Sequence, residues 1–198
     1  MTSRVVTAVV FDVGETLVDE TRDWEHLADA CGVPRFTFMA LVGAAIARGE
    51  SHRRPLEWLG IETLPPKTFT HDELYPDALP CLESLRARGL VVGAVGNMSI
   101  HHEELIRPHV DWVASSERWG VEKPSPLFFQ SVAAEAQRPP NEIAYVGDRV
   151  DNDVVPALAA GMVAVHIRRG PWGYLHEPPP AALRVSSLAE VPYVLADV

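Results

Sequence analysis

The stretch of sequence that decides the fold is Val9-Val10-Phe11-Asp12-Val13-Gly14-Glu15-Thr16-Leu17. Residues 5–11 form a continuous apolar run that is rich in valine. Such a run is typical of a strand buried on both faces of a parallel sheet. Asp12 follows this strand directly, and ligands of open α/β sheets bind outside the carboxyl ends of the strands. Asp12 is therefore the first candidate for a functional residue.

Strands and helices alternate along most of the chain. Four further apolar runs predict strands, at residues 90–95, 112–114, 143–146 and 162–167. Helical patterns lie between them, at residues 77–88, after residue 125 and at residues 152–160. This alternation predicts a Rossmann-like α/β fold with a doubly wound parallel sheet.

The helix after residue 125 has the clearest start signal. Ser125 is a favoured N-cap residue, and Pro126 suits the first helical position. The apolar pattern predicts that Leu127, Phe128 and Val132 face the core.

Residues 21–76 do not follow the alternation. Trp24, Leu27, Ala28 and Cys31 fall at helical spacing, and residues 36–46 form a second, strongly apolar helical stretch. We expect a small helical cap at residues 21–76, inserted after the first strand of a core made of residues 1–20 and 77–198. The tail from Pro171 is rich in proline and predicts a loop with one short closing element near residues 183–191.

The composition excludes several classes of partner. The formal net charge is −10 and no long basic stripe is present, so neither nucleic acid nor an anionic membrane is expected to bind. No apolar run reaches the roughly 18–20 residues needed to cross a bilayer. Cys31 and Cys81 are far apart and suggest neither a disulfide framework nor a zinc site. We expect a cytoplasmic protein, monomeric or homodimeric, with a small-molecule substrate.

Carboxylates are concentrated after two of the predicted strands. Asp12 follows the first strand, and Asp148, Asp151 and Asp153 follow the strand at residues 143–146. Because parallel strands end at one edge of a sheet, these side chains would repel one another unless a cation lay among them, and Mg²⁺ suits oxygen ligands best. Lys123 precedes a capped helix and could neutralise both Asp12 and an incoming phosphoryl oxygen, although an isolated loop lysine is more often solvated.

Four motifs, in this order, resemble those of the haloacid dehalogenase superfamily across essentially the whole chain. The residues that carry the resemblance are residues 9–17 quoted above, Val91-Val92-Gly93-Ala94-Val95-Gly96-Asn97, Lys123-Pro124-Ser125-Pro126, and Gly147-Asp148-Arg149-Val150-Asp151-Asn152-Asp153 continuing to Ala160-Gly161-Met162. The helical insertion between the first two motifs resembles the helical cap of that family.

The resemblance implies a role for each matching residue. Asp12 would be the nucleophile, commonly toward phosphorus, and Lys123 would hold Asp12 and the developing charge. Backbone N–H groups at Gly96 and the side chain of Asn97 would lie by the transferring group. Mg²⁺ would be bound by Asp12, the backbone carbonyl of Gly14 and Asp148, with Asp153 supporting it directly or through water.

Two positions depart from the family pattern. Phosphatase branches carry a second aspartate, which is a general acid and base, where this chain has Gly14, and a Ser or Thr where it has Gly96. The metal site can survive because Gly14 keeps its carbonyl, but a proton carrier is usually worth about 10²–10⁴ in rate. The sequence therefore predicts that Gly14→Asp raises turnover of phosphomonoesters with poor leaving groups more than turnover of acyl phosphates.

Three explanations of the missing acid stay open. The substrate could be an acyl phosphate that needs no acid, or the chain could bind without turnover. Another group could also supply the proton: His26, His52 or His71 of the cap, or Glu15, which we disfavour because neighbouring side chains on an extended strand point to opposite faces. A basic turn at residues 52–54 could also gather an anionic substrate.

The leading prediction is a Mg²⁺-dependent hydrolase, a phosphatase of a small phosphorylated metabolite that acts through an Asp12 aspartyl-phosphate. One alternative is a 2-haloacid dehalogenase-like or phosphonatase-like hydrolase, which uses the nucleophile without an aspartate acid. The other is a catalytically weak protein that binds a phosphorylated ligand.

Overall fold

A parallel sheet of six strands forms the centre of the computed structural model, which describes residues 5–62 and 73–196. The strands are β1 (Ala8–Phe11), β2 (Val91–Gly96), β3 (Trp112–Ser115), β4 (Ile143–Gly147), β5 (Val163–Ile167) and β6 (Leu183–Val185). Their order is β3-β2-β1-β4-β5-β6, and every neighbouring pair is parallel. The chain fills one side of β1 before it crosses to β4 on the other, so the ligand-binding crevice of such a sheet is expected where β1 and β4 end.

Ten α-helices are present in the described parts of the chain. They are α1 (Thr21–Ala30), α2 (Arg35–Ala47), α3 (Arg54–Leu59), α4 (Ala78–Ala87), α5 (Glu103–Ile106), α6 (Ser116–Trp119), α7 (Pro126–Ala136), α8 (Val155–Ala159), α9 (Gly170–Leu175) and α10 (Val191–Val194). A π-helical turn at Val150–Val154 leads into α8.

Helices cover both faces of the sheet. Alternate residues of β1 belong to two different apolar clusters: Val9 and Phe11 pack with α4 and α10, whereas Ala8 and Val10 pack with α7 and α8. This alternation follows from the two-residue period of a strand. The predicted doubly wound α/β fold is confirmed.

A third apolar cluster joins α1, α2 and α3. Its fully or nearly buried members are Trp24, Ala28, Phe38, Val42, Ile46, Leu56 and Trp172. Trp172 comes from α9, and its ring centroid lies 6.2 Å from that of Trp24. This separate cluster supports the predicted division into a core and a cap at residues 21–76, and we retain that division as a proposal.

The tail prediction is partly wrong, since residues 176–182 lie outside helices and strands as predicted, but two helices flank the predicted closing element. The segment from Pro171 contains α9, β6 and α10 rather than a loop with one closing element. The prediction took the prolines of the tail as evidence for a loop. Pro171 and Pro192 instead lie in the first turn of a helix, where no backbone N–H is needed. The predicted element near residues 183–191 coincides with the edge strand β6 and the turn that follows it.

Smaller differences concern element ends and one side chain. β1 begins at Ala8, and α3 begins at Arg54, inside the stretch predicted as a basic turn. Leu127, predicted to face the core, is 60% exposed, because the buried face of α7 is formed by Phe128, Phe129, Val132 and Ala136. Among the described residues no single helix could span a membrane, although α1 and α2, bent by 111°, satisfy the length and composition criteria as a pair.

We expect Phe129→Ala to lower the free energy of unfolding by about 3–5 kcal/mol, because the ring is buried against Phe128 and Tyr145. Leu127→Ala, on the exposed side of the same helix, should change it by about 0.5 kcal/mol or less. Urea unfolding followed by circular dichroism measures both. Equal losses in the two variants would contradict the packing of α7 described above.

Candidate active site

Asp12 lies where β1 ends, at the centre of the sheet. Its backbone N–H donates to Val146 O at 2.8 Å. This hydrogen bond extends the β1–β4 ladder by one residue and fixes the position of the Asp12 backbone. The residue is only 6% exposed. The end of the central strand therefore holds a buried carboxylate, as the sequence predicted.

Lys123 connects this carboxylate to a second one. Its Nζ lies 2.6 Å from Asp12 Oδ1 and 2.6 Å from Asp153 Oδ1, and its side chain is buried. Burial alone would lower the pKa of Lys123, but the nearby charges of Asp12 and Asp153 outweigh it and raise the pKa well above the usual value. The lysine is therefore a fixed positive charge beside the candidate nucleophile.

Asn97 positions Lys123 through the backbone. Asn97 Nδ2 donates to Lys123 O at 3.0 Å, and Lys123 N donates to Asn97 Oδ1 at 2.8 Å. Asn97 also lines the cavity above Asp12. The sequence did not allow this pairing to be predicted, because the two residues are 26 positions apart and lie on different loops.

Asp12, Asp148 and Asp153 form a compact acidic cluster. One carboxylate oxygen of each lies within 4.8 Å of the others, and all three residues are buried. Burial first, then the charges of Asp153 and Asp12, raise the pKa of Asp148 well above its usual value. Burial and the charge of Asp12 raise the pKa of Asp153 to about 6, although Lys123 opposes this rise.

The acidic cluster meets the requirements of a divalent cation. Three negative charges against the one positive charge of Lys123 leave a net charge of −2 when all groups are ionised. Asp148 Oδ2 is buried and has no hydrogen-bond partner among the described residues. A buried, unpaired carboxylate oxygen is costly unless a cation or donor meets it, and oxygen ligands of this kind suit Mg²⁺.

The turn after β4 places the two aspartates of this cluster. A Cβ at Gly147 would lie 2.5 Å from Asp153 Cγ, so only glycine leaves room for Asp153 to fold back toward the strand end. Asp153 Oδ2 accepts a hydrogen bond from Arg149 N at 3.1 Å, and His166 Nε2 lies 3.0 Å from Asp148 O. Asp153, with both oxygens hydrogen-bonded, lies behind Lys123 rather than on the cavity wall.

Asp151 lies apart from this cluster. It is exposed and forms an ion pair of 2.7 Å with Arg149. The sequence grouped it with Asp148 and Asp153 because of spacing alone. The π-helical turn separates them, since it turns Asp153 inward and Asp151 outward.

The two glycines that depart from the family pattern differ in what surrounds them. A Cβ at Gly96 would lie 3.4 Å from Asp12 Oδ1, so position 96 adjoins the candidate nucleophile. A Cβ at Gly14 would lie 2.5 Å from Glu20 Oε1, so a carboxylate already fills the space beside Gly14. The prediction for Gly14→Asp assumed that this space was open.

Glu15 is not on an extended strand. Its φ is +51°, in the left-handed region, so the argument that its side chain points away from Asp12 does not apply. The carboxylate lines the same cavity, accepts the Tyr75 hydroxyl hydrogen bond at 2.7 Å and accepts one from Glu20 N at 3.2 Å. Burial is the main cause that raises the pKa of Glu15 to about 7.

A cavity of about 910 Å³ opens above the cluster. Of the residues predicted to form the site, it is lined by Asp12, Gly14, Gly96, Asn97, Lys123 and Asp148. Basic groups on its walls are His52, Arg53, His102, Arg149 and His176. Arg54 turns away to pair with Glu57 and Glu50, His26 is exposed outside the lining residues, and His71 lies outside the described residues.

Several cavity residues were missed from the sequence. Glu20, His102, Arg149 and Trp172 carry no pattern that separates them from surface or core residues. Trp172 offered one signal, since a tryptophan is highly buried on average, even in a proline-rich tail.

Comparisons with known proteins identify the family of this chain. A family model described as haloacid dehalogenase-like hydrolase matches residues 57–161, just over half of the chain. Glyceraldehyde 3-phosphate phosphatase of Methanopyrus kandleri is 43% identical over 110 residues, which cover 52% of this chain and 47% of that protein. The chain spans about half the length of the curated relatives that it matches.

Solved structures share the fold. A haloacid dehalogenase (HAD) phosphatase from Thermococcus onnurineus superposes with a TM-score of 0.65 at 21% identity. The superposition covers 97% of this chain and 99% of that one. A 2-haloacid dehalogenase from Pseudomonas syringae superposes with a TM-score of 0.59 at 21% identity, with the same coverage. Both carbon–halogen and phosphoryl chemistry therefore occur on this fold.

We expect Asn97→Ala to lower the free energy of unfolding by about 1–3 kcal/mol, because two hydrogen bonds to the Lys123 backbone are lost. Asn152→Ala, at another asparagine of the cavity wall, is the control and should change it by about 0.5 kcal/mol or less. Thermal and urea unfolding measure both. If Asn97→Ala is as stable as the control, Asn97 does not hold Lys123.

Proposed function

The chain belongs to the haloacid dehalogenase-like hydrolase family, and on that premise we propose that it is a Mg²⁺-dependent phosphatase of a small phosphorylated metabolite. The observation that carries the proposal is the buried contact between Asp12 and Lys123 beside the acidic cluster. Asp12 as the candidate nucleophile, the buried Lys123 and the candidate metal ligand Asp148 all line the same cavity, which supports the proposal.

Asp12 would attack the phosphorus atom and form an aspartyl-phosphate, which water then hydrolyses. Lys123 would stabilise the negative charge that develops on the phosphoryl oxygens, since it is already desolvated and held in place. The backbone N–H groups near Gly96 and Asn97 lie on the same wall and would bind the phosphoryl group.

Mg²⁺ would be held by Asp12, Asp148 and the backbone carbonyl of Gly14, with Asp153 fixing Lys123 behind them. The unpaired Asp148 Oδ2 supports this assignment, as does the net negative charge of the cluster. When bound, the ion would polarise the phosphoryl oxygens and offset the charge of the aspartates.

A dehalogenase-like activity is the second candidate. It would use Asp12 on carbon, and it would need no aspartate at position 14. The buried acidic cluster favours the phosphatase, because Lys123 pairs with Asp12 and Asp153 only, which leaves the buried Asp148 Oδ2 without a partner unless a cation binds there.

The size of the cavity suits a small substrate, and the basic groups among its mainly acidic lining would bind an anionic one. The cavity volume of about 910 Å³ fits a metabolite, and Arg53, Arg149 and His52 line the walls above Asp12. The phosphatase of Methanopyrus kandleri is named for glyceraldehyde 3-phosphate, so small phosphorylated sugars are the first compounds to test here.

We expect Mg²⁺-dependent release of phosphate from a panel of phosphorylated metabolites, abolished by Asp12→Asn, because the amide is a poor nucleophile at phosphorus. Phosphate release with and without EDTA measures this. Halogenated acids and phosphonates serve as parallel substrates. If the protein turns over a halogenated acid without metal and hydrolyses no phosphate, the phosphatase proposal is wrong and the dehalogenase candidate replaces it.

We expect Mg²⁺ to raise the unfolding temperature, and Asp148→Asn to remove most of this rise, because a ligand that binds only the folded state stabilises it. Asp151→Asn is the matched control, since Asp151 lies outside the cluster and pairs with Arg149. Thermal unfolding across a Mg²⁺ titration needs no substrate. The assignment of the metal site fails if both variants respond to Mg²⁺ like the unchanged chain.

A further inference from the structure

The Glu20 carboxylate occupies the place of the side chain that position 14 lacks. A Cβ built on Gly14 would lie 2.5 Å from Glu20 Oε1 and 2.9 Å from Glu20 Cδ. Gly14 stands two residues after Asp12, and both residues line the cavity together with Glu20. The absence of a side chain at one position thus makes room for a carboxylate that arrives from another.

The backbone around Glu20 directs its side chain toward the cavity. Glu20 immediately precedes α1, at the N-cap position, yet its side chain makes no capping hydrogen bond. Asp19 Oδ1 accepts the hydrogen bond from Thr21 N instead, at 2.9 Å. The Glu20 N–H donates to Glu15 Oε1 at 3.2 Å, and this hydrogen bond holds the backbone of Glu20 in place.

We propose that Glu20 is the general acid and base of this site, in place of a side chain at position 14. This inference rests on the proposed phosphatase function. Glu20 is a catalytic residue in it, whereas Glu15 is a positioning residue that holds the Glu20 backbone.

Glu15 is the other carboxylate to consider for the same role. Both of its carboxylate oxygens already accept hydrogen bonds, Oε1 from Glu20 N and Oε2 from the Tyr75 hydroxyl. The residue is 5% exposed and wedged against Gly170, where an added Cβ would lie 2.7 Å from Glu15 Oε2. These contacts hold the Glu15 carboxylate in place, which suits a group that positions the Glu20 backbone.

The reaction balances with Glu20 alone as the proton carrier. In the first half, an Asp12 oxygen bonds to phosphorus, the bond from phosphorus to the leaving oxygen breaks, and that oxygen takes its electron pair and the Glu20 proton. In the second half, Glu20 takes a proton from water as the water oxygen bonds to phosphorus. The bond from phosphorus to Asp12 then breaks, which releases phosphate and restores both carboxyl groups.

The first test varies the leaving group. We expect Glu20→Gln to lower kcat/KM for an alkyl phosphate such as glyceraldehyde 3-phosphate by about 10²–10⁴, and for 2,4-dinitrophenyl phosphate by about threefold or less, because only the alkoxide needs a proton. Glu25→Gln is the control, since Glu25 lies on α1 and pairs with Arg35 away from the cavity. Glu15→Gln is measured in parallel.

The second test moves the carboxylate. In the unchanged chain Gly14→Asp should raise alkyl phosphate turnover by about threefold or less, because the new carboxylate meets that of Glu20. In a Glu20→Ala background the space beside position 14 is open. There, adding Gly14→Asp should raise alkyl phosphate turnover by at least about tenfold over Glu20→Ala alone. An equal gain in both backgrounds would mean that Glu20 carries no proton.

The outcomes separate this inference from the proposed function. Turnover that needs Asp12 but falls equally for both esters, or hardly at all, in Glu20→Gln would overturn only the role of Glu20. A larger, leaving-group-dependent loss in Glu15→Gln would assign the proton to Glu15. Binding of orthovanadate with Mg²⁺ to the unchanged chain is measured by thermal unfolding. If the unchanged chain neither hydrolyses phosphates nor binds orthovanadate, the proposed function and the role of Glu20 are both wrong.

Discussion

The buried bridge from Asp12 through Lys123 to Asp153 is the interaction on which the rest of the site depends. One ammonium group contacts Asp12, at the end of β1, and Asp153, in the π-helical turn after β4, and all three side chains are buried. Removing one partner from a buried pair typically costs about 3–5 kcal/mol, because the other charge stays buried without compensation. The fold must therefore hold Lys123 in place, and the two hydrogen bonds between the Asn97 side chain and the Lys123 backbone do so.

The sheet and the positions of Asp12 and Asp148 were predictable because they depend on local pattern and on one topological rule. Apolar runs gave five of the six strands, and parallel strands end at one edge. Lys123 needed the resemblance as well, since its contact with Asp12 spans 111 residues and no local pattern requires it. β6 was only partly foreseen, because an edge strand of three residues has too short a pattern to stand out.

Glu20 could not have been predicted, since its role depends on where one side chain points. The sequence shows an acidic residue at the start of a helix, where a negative charge is ordinarily explained by the helix dipole. Only the structure shows that Asp19 takes the hydrogen bond of the first helical turn and that the Glu20 carboxylate lies against Gly14. For the same reason the low rank of Glu15 rested on an extended backbone that the left-handed turn at this residue does not have. Strand ends can be located from pattern, whereas the turns after them decide which carboxylate faces the ligand.

The upper wall of the cavity depends on one indole ring. Trp172 of α9 packs with Trp24 of α1 and with His52 before α3, at ring-centroid distances of 6.2 and 5.4 Å. The Arg149 guanidinium lies over the same indole at 4.7 Å, so the turn that carries Asp148 is tied to the helices above it. Residues that would select the substrate therefore come from the start, the middle and the tail of the chain. Because α1 and α9 are more than 130 residues apart in the chain, the pattern of neither segment reveals the shape of the space between them, and the identity of the substrate could therefore not be predicted from the sequence.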